Sequence, residues 1–311
     1  MKVGLIGNDQ ILFRCIKLLY EYKKFNIEFV ICDERRGHNN LRVFEFCRAN
    51  SIEFKSLTNI NSEDIYSYIL SKSLELIFSV SNYWILNEKI LNASKIGVIN
   101  FHNGPPNKYH GINIPSWVII NGEQQHGVMW HFAESEIDSG DVVLHHFFEL
   151  DKNETALTLT VKCITYGIKL FKDLLEMIHS KDLIIRKKQQ FETKYYSKKD
   201  MPPNLGYLNF NNAFIENDRL VRGLNFGLIE NNFCYAKIKF DNKEIIVNQI
   251  EFIEAKITHI NGQLVFFDDE NFIIQAADGY INIVDSMDLE KKPLYGKSIS
   301  EYLEININEI F

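Results

Sequence analysis

Short apolar runs of strand length, alternating with stretches of helical spacing, constrain this chain more than any other feature of its sequence. The first runs are residues 2–6 (KVGLI), 27–32 (IEFVIC), 76–80 (LIFSV) and 97–101 (GVINF). Between the first two, Ile11, Leu12, Cys15, Ile16, Leu18 and Leu19 recur at the spacing of one helix face, which predicts a helix over 11–22. Residues 41–50 are helical in pattern and 52–54 form a short strand. Ser62 opens a further helix, with Glu63 and Asp64 in its first turn, where the positive end of the helix dipole favours acids. Alternation of this kind builds βαβ units. The expectation is an α/β chain: a Rossmann-like, mostly parallel sheet flanked by helices. Such sheets bind ligands beyond the carboxyl ends of their strands.

Further along, 128–131 and 142–148 are strand-like, 155–179 is a long helix, and 184–190 returns to strand character. At 195–206 the texture changes to YYSKKDMPPNLG, whose Pro202, Pro203 and Gly206 mark a linker. After a helix over 213–224 come CYAKIKF, KEIIVNQIEFI, QLVFF, NFIIQAA and YINIVDSM, separated by DNK, NG and DG turn signals. That spacing predicts a smaller β-rich C-terminal domain, an antiparallel barrel or sheet of the OB-like kind. The expected organisation is a catalytic domain over 1–194, a linker over 195–206 and the β-rich domain over 207–311.

With 311 residues, the chain is long enough for two cores. No apolar run approaches the ~20 residues of a membrane helix, and MKVGLIGNDQ lacks the features of a signal peptide; a cytoplasmic protein is expected. Cys15, Cys32, Cys47, Cys163 and Cys234 form no CxxC pair, which speaks against zinc, so they are expected as reduced thiols. Gly4 and Gly7 make no GxGxxG, which weakens a dinucleotide reading.

Chemistry concentrates between 99 and 141. Asn100 and His102 lie at the end of the strand GVINF and share a face, because side chains alternate along a strand. A loop rich in Gly, Pro and Asn follows, then a helix over 115–121, and then Asp138-Ser139-Gly140-Asp141, a turn between two strands. In such a set an amide N–H can donate to an oxygen on which negative charge develops, an imidazole can donate to it or take a proton, and a carboxylate can orient the imidazole. His110, His126, His131, His145 and His146 have no metal-ligand spacing, and no metal is expected.

This segment resembles the folate-dependent formyltransferase family, which includes methionyl-tRNA formyltransferases and sugar-amine N-formyltransferases. The resemblance rests on Asn100-Phe101-His102, Asn107-Lys108-Tyr109-His110-Gly111 and Asp138-Ser139-Gly140-Asp141, in order and at the family's intervals. It extends more weakly to Asp218-Arg219-Leu220-Val221-Arg222-Gly223 and to residues 264–285 of the C-terminal domain. The sequence departs from the pattern at Pro105-Pro106-Asn107, where the family has Leu-Pro before the basic residue; that loop lines the acceptor side.

The resemblance implies that Asn100, His102 and Asp138 are catalytic and that 10-formyltetrahydrofolate is the co-substrate. It places the folate beside Asn82, Tyr83, Trp84, Ile85 and Leu86 and against Ile137 and Gly140. It implies acceptor contacts from Asn8, Asp9, Gln10, Gly104, Pro105, Lys108 and Tyr109. Water as acceptor would make the protein a formyl-folate hydrolase, and loss of turnover would leave a folate-binding module.

The charge balance narrows the acceptor. The formal net charge is −7, and residues 204–311 hold nine Lys and Arg against seventeen Asp and Glu, a balance of −8. Affinity for a phosphate backbone comes from Lys and Arg, so this speaks against tRNA. The expected acceptor is a small amine, first a nucleotide-linked amino sugar, then an aminoacyl group on a carrier protein. Sheet-edge or C-terminal pairing could make a homodimer.

Overall fold

The computed structural model describes residues 1–35, 40–106, 108–181, 193–231 and 233–311. The strand expected over 184–190 lies outside them, as does Asn107. The chain divides into two compact units. The first is made of Met1–Gly111, Gln125–Phe148 and Val161–Tyr195. The second is made of Ile112–Gln124, Glu149–Thr160 and Tyr196–Phe311.

The chain runs β1 (Lys2–Gly7), α1 (Asp9–Tyr22), β2 (Asn26–Asp33), α2 (Leu41–Ala49), β3 (Phe54–Leu57), α3 (Glu63–Ser71), β4 (Leu76–Val80), α4 (Glu88–Leu91) and β5 (Val98–His102). There follow β6 (Tyr109–Gly111), α5 (Ile114–Ile120), β7 (Gln125–Phe132), β8 (Val142–Glu149), α6 (Ala156–Ser180) and β9 (Lys194–Tyr196). The principal sheet has the order β3-β2-β1-β4-β5-β7-β8. Its pairs β2–β3, β1–β2, β1–β4 and β4–β5 are parallel, and β7 joins β5 antiparallel. The expected mostly parallel sheet is therefore present, and its strands are buried accordingly: every residue of β4 is buried, as is all of β1 after Lys2.

Alternation along β5 decides which residues reach the site. Phe101 points into an aromatic core, 5.3 Å from the Trp130 ring, with Phe171 4.9 Å beyond it. A Cβ on Gly167 would come within 2.4 Å of the Phe101 ring, so α6 approaches β5 closely there. Asn100 and His102 occupy the opposite face of the strand. The register fixes their neighbours: Ser79 on β4 and His131 on β7 both pair with Asn100, so three polar residues form one row across adjacent strands.

In the second unit α7 (Phe214–Leu224) packs on α5, and β10 (Lys237–Phe240), β11 (Lys243–Ile253), β12 (Leu264–Phe267), β13 (Phe272–Gln275), β14 (Tyr280–Met287) and β15 (Pro293–Leu294) form an antiparallel sheet. Its path is β10-β11-β14-β13-β12, with β15 beside β14 and α8 (Lys297–Leu303) closing the chain. Gly223 lets α7 and α5 touch: a Cβ there would lie 2.6 Å from Ile120 and 3.0 Å from the Ser116 carbonyl. The segment 195–206 holds the end of β9 and a short 3-10 turn over Pro203–Gly206, with Tyr196 buried and stacked 4.2 Å from Trp117. No helix among the described residues is long and apolar enough to cross a membrane. Cys15, Cys32, Cys47 and Cys163 are buried, and no disulfide joins any of the five cysteines.

Candidate active site

The end of β5, the 104–111 loop and the turn after β7 converge. His102 is 5% exposed. Its Nε2 lies 2.8 Å from the Tyr109 carbonyl and its Nδ1 3.3 Å from Asp138 Oδ2. The carbonyl can only accept, so Nε2 carries a hydrogen. Gly104 makes this possible: a Cβ there would stand 2.4 Å from His102 Nε2. Gly104 and Pro105, expected as acceptor contacts, are both buried, whereas Lys108 is exposed. Its ammonium stands 5.8 Å from the ring centroid of the buried Tyr109.

Asp138 adopts a left-handed backbone, φ 53°, a conformation Asp tolerates better than most residues. Its Oδ2 accepts from the Gly111 N–H at 2.8 Å, and its Oδ1 lies 3.5 Å from His131 Nε2. Burial alone would raise the carboxyl pKa, but His102, His131 and the Gly111 N–H outweigh it and hold it well below the usual carboxylate range. Burial is also the largest influence on His102 and lowers its pKa, against the pull of Asp138 and the Tyr109 carbonyl. Two residues on, Gly140 is obligatory: a Cβ would sit 1.9 Å from the Phe132 carbonyl oxygen. That oxygen is the one His131 Nδ1 donates to, at 2.8 Å.

Asn100 is held from both sides. Ser79 Oγ donates to its Oδ1 at 2.7 Å, and its Nδ2 is 3.1 Å from His131 Nε2. Sequence reasoning passed over His131 and Ser79. The signal that could have found them is a histidine and a serine inside otherwise apolar strands, since buried polar side chains require partners. The register that brings them to Asn100 is not written in either strand alone.

Of the residues expected around the folate and acceptor, Asn8 and the first turn of α1 follow the carboxyl end of the interior strand β1, and 82–86 lie in the loop after its neighbour β4. Asp9 Oδ2 accepts from Ser81 Oγ at 2.8 Å and from the Tyr83 hydroxyl at 3.2 Å. Asn8 is fully buried; it accepts from the Asp33 N–H and from Asn40 and donates to the Ser81 carbonyl, so its side chain joins loops rather than facing outward. Gln10 is exposed. Asn82 caps Trp84 through two 3.0 Å bonds. Trp84 and Leu86 are packed in the core, and Ile85 points outward. Ile137 is half-buried in the turn. Of the remaining histidines, His110 meets the His102 ring edge-on at 6.4 Å, and His126 reaches the Asn103 carbonyl at 3.0 Å. Among the described residues no group of three His, Cys, Asp or Glu side chains could hold a metal ion.

The formyl transferase family model matches residues 20–175, half of the chain, and spans Ser79, Asn100, His102, His131 and Asp138. The chain belongs to the formyl transferase family. A methionyl-tRNA formyltransferase of Clostridioides difficile is 25% identical over 99% of this chain and 98% of its own length. A GDP-perosamine N-formyltransferase of Brucella melitensis is 24% identical over 72% of this chain and 83% of its own. Among solved structures, an N-formyltransferase from Helicobacter canadensis, in complex with folinic acid and dTDP-3-aminofucose, aligns with TM-score 0.68 at 20% identity, over 92% of this chain and 99% of that one. This formyl transferase thus resembles in sequence enzymes named for different acceptors, and shares its fold with a crystallised N-formyltransferase.

Proposed function

We propose that this protein transfers the formyl group of 10-formyltetrahydrofolate to the amine of a small acceptor, a nucleotide-linked amino sugar first, with Asn100, His102 and Asp138 as the catalytic residues. The observation that carries the reading is the convergence of these three side chains at the carboxyl end of β5, each held by bonds from neighbouring strands or loops.

The amine lone pair attacks the formyl carbon, and the carbonyl electrons move onto oxygen. Among the described residues, one N–H of Asn100 Nδ2 is matched to His131 and the other has no protein acceptor, so it can meet that oxygen. Collapse of the intermediate breaks the bond between the formyl carbon and the folate nitrogen. The proton leaving the amine reaches that nitrogen by way of His102, while the Asp138 carboxylate, held ionised, orients the ring and offsets the positive charge it takes on. The start of α1 and the 81–86 loop, with Ile137 and Gly140, would line the folate and acceptor, as in parallel sheets whose ligands lie beyond the strand ends.

The crystallised relative with folinic acid and a dTDP-linked amino sugar supports the sugar acceptor, as does the acidic balance of residues 204–311. The relative aligned over nearly its whole length favours a second reading, Met-tRNA. The test is tetrahydrofolate release from 10-formyltetrahydrofolate against dTDP-, UDP- and GDP-linked amino sugars, aminoacyl carrier protein and Met-tRNA, with His102→Ala as control. Turnover dependent on an amino sugar and lost in the variant supports the proposal. Turnover on Met-tRNA alone replaces the acceptor. Folate turnover without any amine makes the protein a hydrolase, and none with any acceptor rejects formyl transfer.

A further inference from the structure

Ser79 is the only polar residue of β4, LIFSV, and is 1% exposed. A hydroxyl in such a place must bond to something, and its partner is the Asn100 carboxamide. The direction of that bond follows from the far end of the row. The Phe132 carbonyl can only accept, so His131 Nδ1 carries the ring hydrogen. Nε2 faces Asn100 Nδ2 at 3.1 Å, nearer than Asp138 Oδ1 at 3.5 Å, and with the ring hydrogen on Nδ1 it accepts an N–H of the amide. The amide oxygen therefore points the other way, to Ser79 Oγ, whose O–H donates to it. His131 selects the amide orientation, and Ser79 satisfies the atom that this orientation leaves over. Without the hydroxyl, Asn100 Oδ1 would face an apolar strand, while the torsion about its Cβ–Cγ bond, which is intrinsically soft, could turn oxygen to where N–H is needed.

We propose that Ser79 is a positioning residue: its hydroxyl fixes the Asn100 carboxamide with N–H groups toward His131 and toward the reacting formyl oxygen. The kinetic half of this inference rests on the formyl-transfer reading above; the orientation of the amide does not.

The test is Ser79→Ala, with Ser79→Cys as a second variant that fills similar space with a weak donor and serves if the alanine protein does not fold. In steady-state assays kcat is expected to fall about tenfold while KM for folate and amine stays within about twofold, because the lost interaction matters in the transition state rather than in binding. In parallel, solvent exchange of the Asn100 side-chain N–H protons is followed by NMR, with the signals assigned by their loss in Asn100→Asp. Exchange is expected to be about tenfold faster in the variant. Unchanged exchange, or kcat within about twofold of the parent, overturns the assignment. So does a kcat loss matched by an equal rise in KM. If the parent turns over no acceptor, the functional reading fails, and the exchange measurement alone decides the role of Ser79.

Discussion

The Gly111 N–H donates to Asp138 Oδ2 at 2.8 Å, joining two parts of the signature that lie 27 residues apart, on either side of α5. The loop after β5 and the turn after β7 are therefore one structure at the level of a single hydrogen bond. Asp138→Asn tests the charge without disturbing the backbone, since Asn also tolerates φ 53°. Formyl transfer should fall about 10²–10⁴-fold in the protein that remains folded, measured as single-turnover rate beside a thermal scan that registers the lost stabilisation by the carboxylate. An activity near that of the parent would remove Asp138 from the catalytic set.

Gly140→Ala should damage both stability and activity. The added Cβ would meet the Phe132 carbonyl at 1.9 Å, and that carbonyl holds His131, which holds Asn100. The expected cost is more than about 2 kcal/mol in denaturant unfolding, with turnover reduced in whatever protein folds. A variant as stable as the parent would show that the turn relaxes freely.

His126 makes the fold sensitive to mild acid. Burial, the largest influence, takes its pKa down to about 3, against the favourable contact with the Asn103 carbonyl. Its unfolded value is near 6.5. Between these limits the unfolded chain binds a proton that the folded chain does not, so stability rises with pH and is lost as pH falls from about 6.5 toward 3. His126→Gln keeps a donor for the carbonyl and removes the titration. It should flatten the slope by up to about 1.4 kcal/mol per pH unit across that window, read from urea unfolding at a series of pH values. Parallel slopes in parent and variant would refute the assignment.

Asp138 adds a second acid limit. Its carboxyl pKa is depressed in the fold, so its stabilising contribution is present above the unfolded value near 4 and is lost as pH falls below it. Asp138→Asn should remove this lower step and leave the His126 step in place, which separates the two in the same titration.

Arg222 should matter to the second unit out of proportion to its position on a helix. Its Nε and Nη2 donate to Asp218, and its Nη1 donates to the Glu154 carbonyl at 3.0 Å. Arg222→Ala should cost about 1–3 kcal/mol by chemical denaturation. Arg222→Lys should recover little of it, because an ammonium lacks the planar fork by which the guanidinium reaches Asp218 Oδ2 twice and the Glu154 carbonyl once. Full recovery by lysine would mean that only the charge counts.

Contrast along the chain decided how much of the fold was legible in the sequence. The runs at 76–80, 243–253 and 280–287 are apolar enough against their surroundings that β4, β11 and β14 coincide with them. The short strand expected at 52–54 instead runs Phe54–Leu57, where no residue is fully buried and the pattern has little to mark it. β6, β9 and α8 are too short to show a period; α8 spans barely two turns, although Ile299 and Leu303 are buried. Asn100, His102 and Asp138 were legible because they sit in dense local motifs. Ser79 and His131 were not, because their roles depend on register between strands that are distant in sequence, and a one-residue slip would have turned either to the opposite face.

The two units are interleaved along the chain, and this bears on how the protein is made. Residues 112–124 and 149–160 group with 196–311, yet a ribosome delivers them long before most of that partner exists. Among them is α5, whose Ile114, Trp117, Val118 and Ile119 are buried once α7 and its neighbours are in place. During synthesis those side chains emerge as an uncovered apolar stripe on a half-built protein. The nascent chain therefore passes through a window in which chaperone capture and self-association compete with completion, and slowing translation after residue 160 should widen it.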